Sequence, residues 1–127
     1  METLGLYFSD ELTGPYTEHP MSPLIQKNNR MARPAGRMIQ WNGKWIRFCQ
    51  DCYPNYGSNV RAFEINELTT SVYSEKEIDE SPVLQMTGEE NAWNGSGMHH
   101  IDPYQLEDGK WIACVDGHFT IDQKNGL

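Results

Sequence analysis

The sequence predicts an all-β chain assembled from a repeated unit of short antiparallel strands, and three observations carry that expectation. Gly and Pro punctuate the chain at intervals of about ten residues, and the segments between them are short and rich in aromatic and β-branched residues, the pattern of many short strands. Asn42-Gly43 sits between Arg37-Met-Ile-Gln-Trp41 and Lys44-Trp-Ile-Arg-Phe48. Asn-Gly tolerates the positive φ angles of a type I′ turn, whose twist suits flanking strands, so a hairpin is expected here. Finally, fragments recur: Gly43-Lys44-Trp45-Ile46 returns as Gly109-Lys110-Trp111-Ile112.

Taken along the chain, the apolar run Leu4 to Phe8 precedes Glu11-Leu12-Thr13 and Tyr16-Thr17-Glu18. The run Val60 to Ile65 likewise precedes Glu67-Leu68-Thr69 and Tyr73-Ser74-Glu75, with one extra residue between the two parts of the motif. A second hairpin is expected around Asp108-Gly109, between Tyr104-Gln-Leu106 and Lys110 to Val115. Helix signals are weak; Ser74 to Glu80 is charged enough for one turn, which Pro82 would close. Strand units repeated at this length cannot bury both faces alone and must stack on neighbours. The four-stranded blade of a β-propeller fits that requirement. With blade strands named A to D outward from the axis, the expectation is a partial β-propeller of about two four-stranded antiparallel blades. Strands C and D of one blade fall in 1–30, a full blade in 31–90, and strands A to C of the next in 91–127, all within a single domain, 1–127.

Composition narrows the function classes. Hydrophobic residues are 38% and charged residues 22%, which argues for a packed core over disorder. No apolar run reaches the length of a helical membrane span, and Met1 to Asp10 lacks the layout of a secretory leader. The net charge of −8 disfavours a nucleic-acid partner, because no basic stripe accompanies the aromatic residues. Cys49, Cys52 and Cys114 are odd in number, so free thiols and a cytoplasmic location are expected instead of a disulfide framework. Cys49-x-x-Cys52 has no second ligand pair at similar spacing, and Cys114 with a histidine would complete a zinc site only if the fold brought them together; no metal or cofactor is expected. Asn94-Gly-Ser96 matches a glycosylation sequon and is read as a turn.

Thr13-Gly-Pro-Tyr-Thr-Glu-His-Pro-Met-Ser-Pro23 resembles the GPW-x-x-HP-x-NP segment of furanosidase-like five-bladed propellers. The likeness is nearest to the propeller domain of glucosamine inositolphosphorylceramide transferases and their bacterial relatives. Ala32-Arg33-Pro34-Ala35-Gly36-Arg37, Gln50-Asp51-Cys52 and Tyr56-Gly57 follow that group's motifs. So do Leu68-Thr69, Tyr73-x-Glu75, Gly97-x-His99-His100-x-Asp102 and Trp111 with Val115-Asp116-Gly117. Tyr16 replaces the usual Trp and Ser22 the usual Asn. The resemblance implies a carbohydrate context. A full five-bladed ring needs about 250 to 300 residues, so the chain corresponds to part of one.

Inner-strand ends converge on one site in a propeller, which selects Arg33, Gln50, Asp51, Tyr56, His99 and Asp116 as the ligand-binding candidates. Arg33 and His99 stand at the same spacing as Gly43 and Gly109, and so do Gln50 and Asp116. Arg33 would donate to a hydroxyl-rich or anionic group, and Gln50, Asp51 and Asp116 would accept from hydroxyls. Tyr56, Trp45 or Trp111 would stack on a sugar face. Equally, Arg33 would tie units together by pairing with Asp51 or Asp116. Glycoside hydrolysis needs two carboxyl groups at a set separation; Asp51, Asp102 and Asp116 are the candidates, Asp51 and Asp116 foremost, with Glu75 and Glu18 further out, and nothing in their spacing singles out a pair. The expectation leans against catalysis, with glycoside hydrolysis or glycosyl transfer the implied chemistry were it present. Adjacent His99 and His100 point to opposite sides of a strand, so only one of them faces a given site. There the resemblance implies a water or a cation, but one His with Asp102 is not a metal site by itself, and a structural hydrogen-bonding role is the expectation. By default Trp41, Trp45, Trp93 and Trp111 are expected mostly in the core.

Two functions follow: a carbohydrate-binding or carbohydrate-processing-related module, or a truncated, non-catalytic propeller fragment that serves as a structural and oligomerising protein. Unpaired strands at both ends predict either that the termini join into one composite blade or that copies associate, with a homodimer favoured.

Overall fold

The computed structural model of the chain describes residues 2–121, and every regular element among them is a β-strand. In chain order these are β1 (Tyr7–Phe8), β2 (Thr17–Glu18), β3 (Ile39–Trp41), β4 (Lys44–Asp51), β5 (Asn59–Leu68), β6 (Tyr73–Glu77), β7 (Leu84–Gln85), β8 (Ile101–Gln105) and β9 (Trp111–Val115). All pairings are antiparallel, and the sheets stay open instead of closing into a barrel.

The central sheet grows from the expected hairpin. Asn42 (φ 49°) and Gly43 (φ 76°) both take the left-handed region, as a two-residue I′ turn requires. Trp41 pairs with Lys44 across it. From there β3-β4-β5-β6 runs as a meander, and β7 returns to pair with the start of β5. The second hairpin forms as expected but turns differently. Glu107, Asp108 and Gly109 make a three-residue loop, with the Gly109 N–H donating to the Leu106 carbonyl and Gly109 at φ 83°. The recurring Gly-Lys-Trp-Ile fragments therefore begin equivalent strands, β4 and β9, behind turns of different length.

Alternation along β4 and β5 gives the sheet two dissimilar faces. One carries Ile46, Phe48 and Gln50 opposite Glu64, Ala62 and Val60; Ile46, Phe48, Val60 and Ala62 form the buried apolar cluster with Ala35, and Ile39, Ile78, Val83, Leu84 and Ile101 pack against it. The β8-β9 hairpin lies on this face, anchored where the Ile101 N–H donates to the Ala35 carbonyl at 2.8 Å. The other face carries Arg47, Cys49 and Asp51 opposite Phe63, Arg61 and Asn59. The N-terminal segment covers it. His19 Nε2 meets the Thr69 carbonyl at 3.0 Å, and Arg47 donates to the Met31 carbonyl at 3.1 Å. The N-terminal pair β1-β2 and the C-terminal pair β8-β9 thus flank the central sheet on opposite sides. The expected alternative in which the two ends join into one composite blade does not occur among the described residues.

Three expectations need correction. Ser74 to Glu80 begins as strand β6, because Tyr73 and Glu75 are held in the ladder opposite Leu68 and Ile65. The two Glu-Leu-Thr copies are not structurally equivalent: Glu67 and Leu68 end strand β5, while Glu11 and Leu12 lie in the long β1-β2 connection. None of the four Trp is core; Trp41, Trp45, Trp93 and Trp111 are 37–56% exposed, since three of them sit at hairpin ends beyond the packed centre. The expected third strand of the C-terminal unit falls largely on residues 122–127, outside the described residues.

Candidate functional site

At one end of the sheets, where β4 and β9 finish, the chain gathers Arg33, Tyr56, His99 and Asp116 from four separate stretches. The Arg33 guanidinium lies 5.0 Å above the Tyr56 ring centroid. Tyr56 meets the His99 ring edge to face, 5.3 Å between centroids and 89° between planes. His99 Nδ1 abuts the Asp116 carboxylate, whose Oδ1 also accepts from the backbone N–H groups of His99 at 3.0 Å and His100 at 2.8 Å. One carboxylate thereby fixes both the backbone entering β8 and the orientation of the imidazole.

The correspondence between the two repeats is visible in these contacts. In the central unit the Gln50 N–H donates to the Arg33 carbonyl at 2.8 Å. In the C-terminal unit Asp116 holds the His99 N–H. Each repeat therefore joins the same two positions, once through backbone and once through a side chain.

Gln50 and Asp51 leave β4 toward opposite faces. Gln50 is 7% exposed and donates from Nε2 to the Pro34 carbonyl at 3.3 Å. Asp51 is 1% exposed; it accepts from Arg61 at 2.8 Å, from Arg30 at 3.4 Å and from the Tyr53 N–H at 3.0 Å. Its charge is balanced by two guanidinium groups, the condition under which a carboxylate tolerates burial. Trp45 is the second residue of β4 and Trp111 the first of β9, and five residues of strand, about 17 Å, separate Trp45 from Gln50. They belong to the hairpin ends, away from Tyr56.

Two features of the cluster escaped the sequence reading. His118 stands 6.3 Å from His99 between ring centroids, placed there by the bridge between Gly97 and His118. Its spacing carries no repeat counterpart of the same chemistry. Gly57 (φ 67°) lies against His99 so closely that an added Cβ would come within 2.7 Å of the His99 Cβ, and one on Gly97 would overlap His118. Tyr56-Gly57 is thus the strut that lets the aromatic rings meet.

Elsewhere, Arg37 forms a bidentate pair with Asp102, tying the approach of β3 to β8. The hydrogen bond from Arg37, with its charge, holds the Asp102 carboxyl below the usual carboxylate range. Asn94 is buried, donating to the Met98 sulfur at 3.3 Å within the turn. Among the described residues no group of three His, Cys, Asp or Glu side chains is arranged to hold a metal, and no helix is long and apolar enough to cross a membrane.

A family model described as "Glucosamine inositolphosphorylceramide transferase 1, N-terminal" matches residues 1–118. The glucosamine inositolphosphorylceramide transferase 1 of Oryza sativa subsp. japonica is 36% identical over 115 residues, which is 90% of this chain and 15% of that protein. Its Arabidopsis thaliana counterpart is 35% identical over 115 residues, with the same shares. The chain spans about 15% of the length of these curated relatives. No solved structure gives a significant match.

Proposed function

The chain belongs to the glucosamine inositolphosphorylceramide transferase 1 N-terminal family, and from that premise we propose that it is a carbohydrate-binding module whose ligand is a sugar or sugar-bearing head group. The observation that carries the reading is the convergence of Arg33, Tyr56, His99 and Asp116. Tyr56 is 48% exposed beside the Arg33 guanidinium and the His99 imidazole, so a sugar can pack against the part of the ring that these two leave open. Sugar recognition needs an apolar platform flanked by donors and acceptors, and these side chains supply both. Gln50 and Asp51 support the wall: the one braces Pro34, the other orders the Arg30–Arg61 side of β4.

No hydrolytic or transfer step enters the proposal. Asp51 is buried between its two arginines, and Asp116 is committed to His99. The relatives' name joins glucosamine with inositolphosphorylceramide, which sets glucosamine, inositol phosphate and nucleotide sugars as the ligands to try first. The open blade-like meander fits a partial propeller. The free thiols Cys49, Cys52 and Cys114 suit the reducing cytoplasm, and the charge of −8 argues against a nucleic-acid partner.

Isothermal calorimetry against simple sugars, inositol phosphate and nucleotide sugars tests the reading. Binding by the intact chain, weakened at least about tenfold by Arg33→Ala or Tyr56→Ala with an unchanged circular dichroism spectrum, supports it. Silence toward all of these ligands, or binding indifferent to both substitutions, refutes it. The second reading, a self-associating structural module, is favoured by β9, all five of whose residues are exposed.

A further inference from the structure

The loop 52–58, which joins β4 to β5, carries two exposed tyrosines, and each is met by an arginine from the stretch ahead of β3. The Arg30 guanidinium lies 4.8 Å above the Tyr53 ring centroid, and the Arg33 guanidinium 5.0 Å above that of Tyr56. Both arginines and both tyrosines are three residues apart, so the two pairs stand as neighbouring rungs. Three residues of chain span at most about 10 Å, within the reach of linked sugar rings. The backbone holds the rungs in register. The Cys52 N–H donates to the Asn29 carbonyl at 2.9 Å and the Gln50 N–H to the Arg33 carbonyl at 2.8 Å, so the stretch 29–33 runs antiparallel beside the end of β4. At the far end of the loop the Ser58 N–H donates to the Asp51 carbonyl at 2.9 Å, and the Ser58 hydroxyl to the Asn55 carbonyl at 2.8 Å.

We propose that Arg30 and Tyr53 form a second sugar-ring subsite beside the one at Tyr56, so that the ligand is an oligosaccharide of at least two linked rings. The inference rests on the sugar-binding reading and deepens it. One buried carboxylate fixes both members of the new pair. Asp51, 1% exposed, accepts from Arg30 Nε at 3.4 Å and from the Tyr53 N–H at 3.0 Å, while its second oxygen accepts from Arg61 at 2.8 Å. Neither side chain is spent on the core, for Tyr53 is 55% exposed and the Arg30 side chain 49%. Arg30 covers one side of the ring, and the exposed remainder is open to the apolar face of a sugar. A guanidinium carries five donors; Asp51 takes the one on Nε, and the half-exposed fork is placed for hydroxyls of the same sugar. An arginine already held by a carboxylate and a ring loses little rotamer freedom when a ligand arrives. The burial of Asp51 thus has a use at the surface, exerted through Arg30 and Tyr53 instead of by touching the ligand.

Calorimetry on the 127-residue chain with glucosamine and with its β-linked disaccharide tests the inference. The disaccharide is expected to bind at least about tenfold tighter than glucosamine. Tyr53→Ala should bring the ratio of the two dissociation constants to about one, and so should Arg30→Ala, in which Asp51 keeps Arg61 as its partner. Tyr56→Ala should weaken the binding of both sugars. A partial loss of folded protein moves both constants together, so the ratio reads the subsite and not stability. Equal affinity of the unaltered chain for the two sugars, or a ratio that survives both Tyr53→Ala and Arg30→Ala, overturns the second subsite and leaves the Tyr56 site standing. Silence toward both sugars overturns the sugar reading itself, and the second subsite with it.

Discussion

Arg47 shows how single residues carry this fold. Its guanidinium grips Glu75 through two hydrogen bonds of 2.7 Å, with side-chain exposures of 8% and 12%. Burial opposes the charge on Arg47, and the Glu75 carboxylate overcomes that penalty, raising the guanidinium above its ordinary range. Removing one partner strands the other, so Glu75→Ala should cost about 3–5 kcal/mol. Replacing both by apolar residues of similar volume should cost far less, and urea melts of the three chains measure the contrast. Cys49 offers a pH test. Burial pushes its thiol up to about 11, whereas in the unfolded chain it ionises at about 8.5. The folded state then holds the proton more tightly, so this contribution is intact below the unfolded pKa and is lost as pH rises toward 11. The difference in stability between wild type and Cys49→Ala should shrink across that window; a difference that stays flat contradicts it. Such pairings were only partly legible in the sequence. Asp51 appeared as an acceptor for a ligand, because nothing local to it announces Arg61 from the neighbouring strand.

Among the elements, turns were read well and strand neighbours less so. The I′ turn at Asn42-Gly43 is local chemistry, and a Cβ at Gly43 would meet nothing within 4 Å. Gly43→Ala should therefore cost about 1 kcal/mol, from the left-handed backbone alone. Gly57→Ala adds a steric term, since the new Cβ falls 2.7 Å from that of His99. It should cost more than Gly43→Ala in the same denaturation assay and should weaken any sugar binding, which Gly43→Ala leaves unchanged. Ser74 to Glu80 has a composition that suits one turn of helix, yet Tyr73–Glu77 form strand β6. Its ladder with β5 and the buried Glu75 decide otherwise, as tertiary context commonly does against propensity. The Glu-Leu-Thr repeat misled in the same way: short identical strings settle at different points of unlike connections.

At the scale of the whole molecule, protection is uneven. β4 and β5 are covered on both faces, with Cys49, Val60 and Ala62 fully buried, whereas β9 is exposed throughout. In hydrogen exchange, the amides of the β4·β5 ladder should be the slowest, and those of Trp111, Ala113 and Val115 among the fastest in dilute solution. Equal protection of the two hairpins under those conditions contradicts this order.

The sequence by itself determined that the chain is all-β, where its hairpins turn, that Gly43 to Ile46 and Gly109 to Ile112 begin like strands, and which family its motifs resemble. These are properties of turn chemistry, strand patterning and repetition, and each is written in neighbouring residues. Only the tertiary structure decided that the two ends flank opposite faces of one central sheet. The sequence grouped Arg33, Tyr56, His99 and Asp116 with Gln50 and Asp51; the tertiary structure gave the first four their contacts and directed Asp51 away to Arg61. Those outcomes depend on which strand lies beside which and on which way each side chain alternates. Both are set by long-range pairing and burial, which no local stretch of the chain encodes.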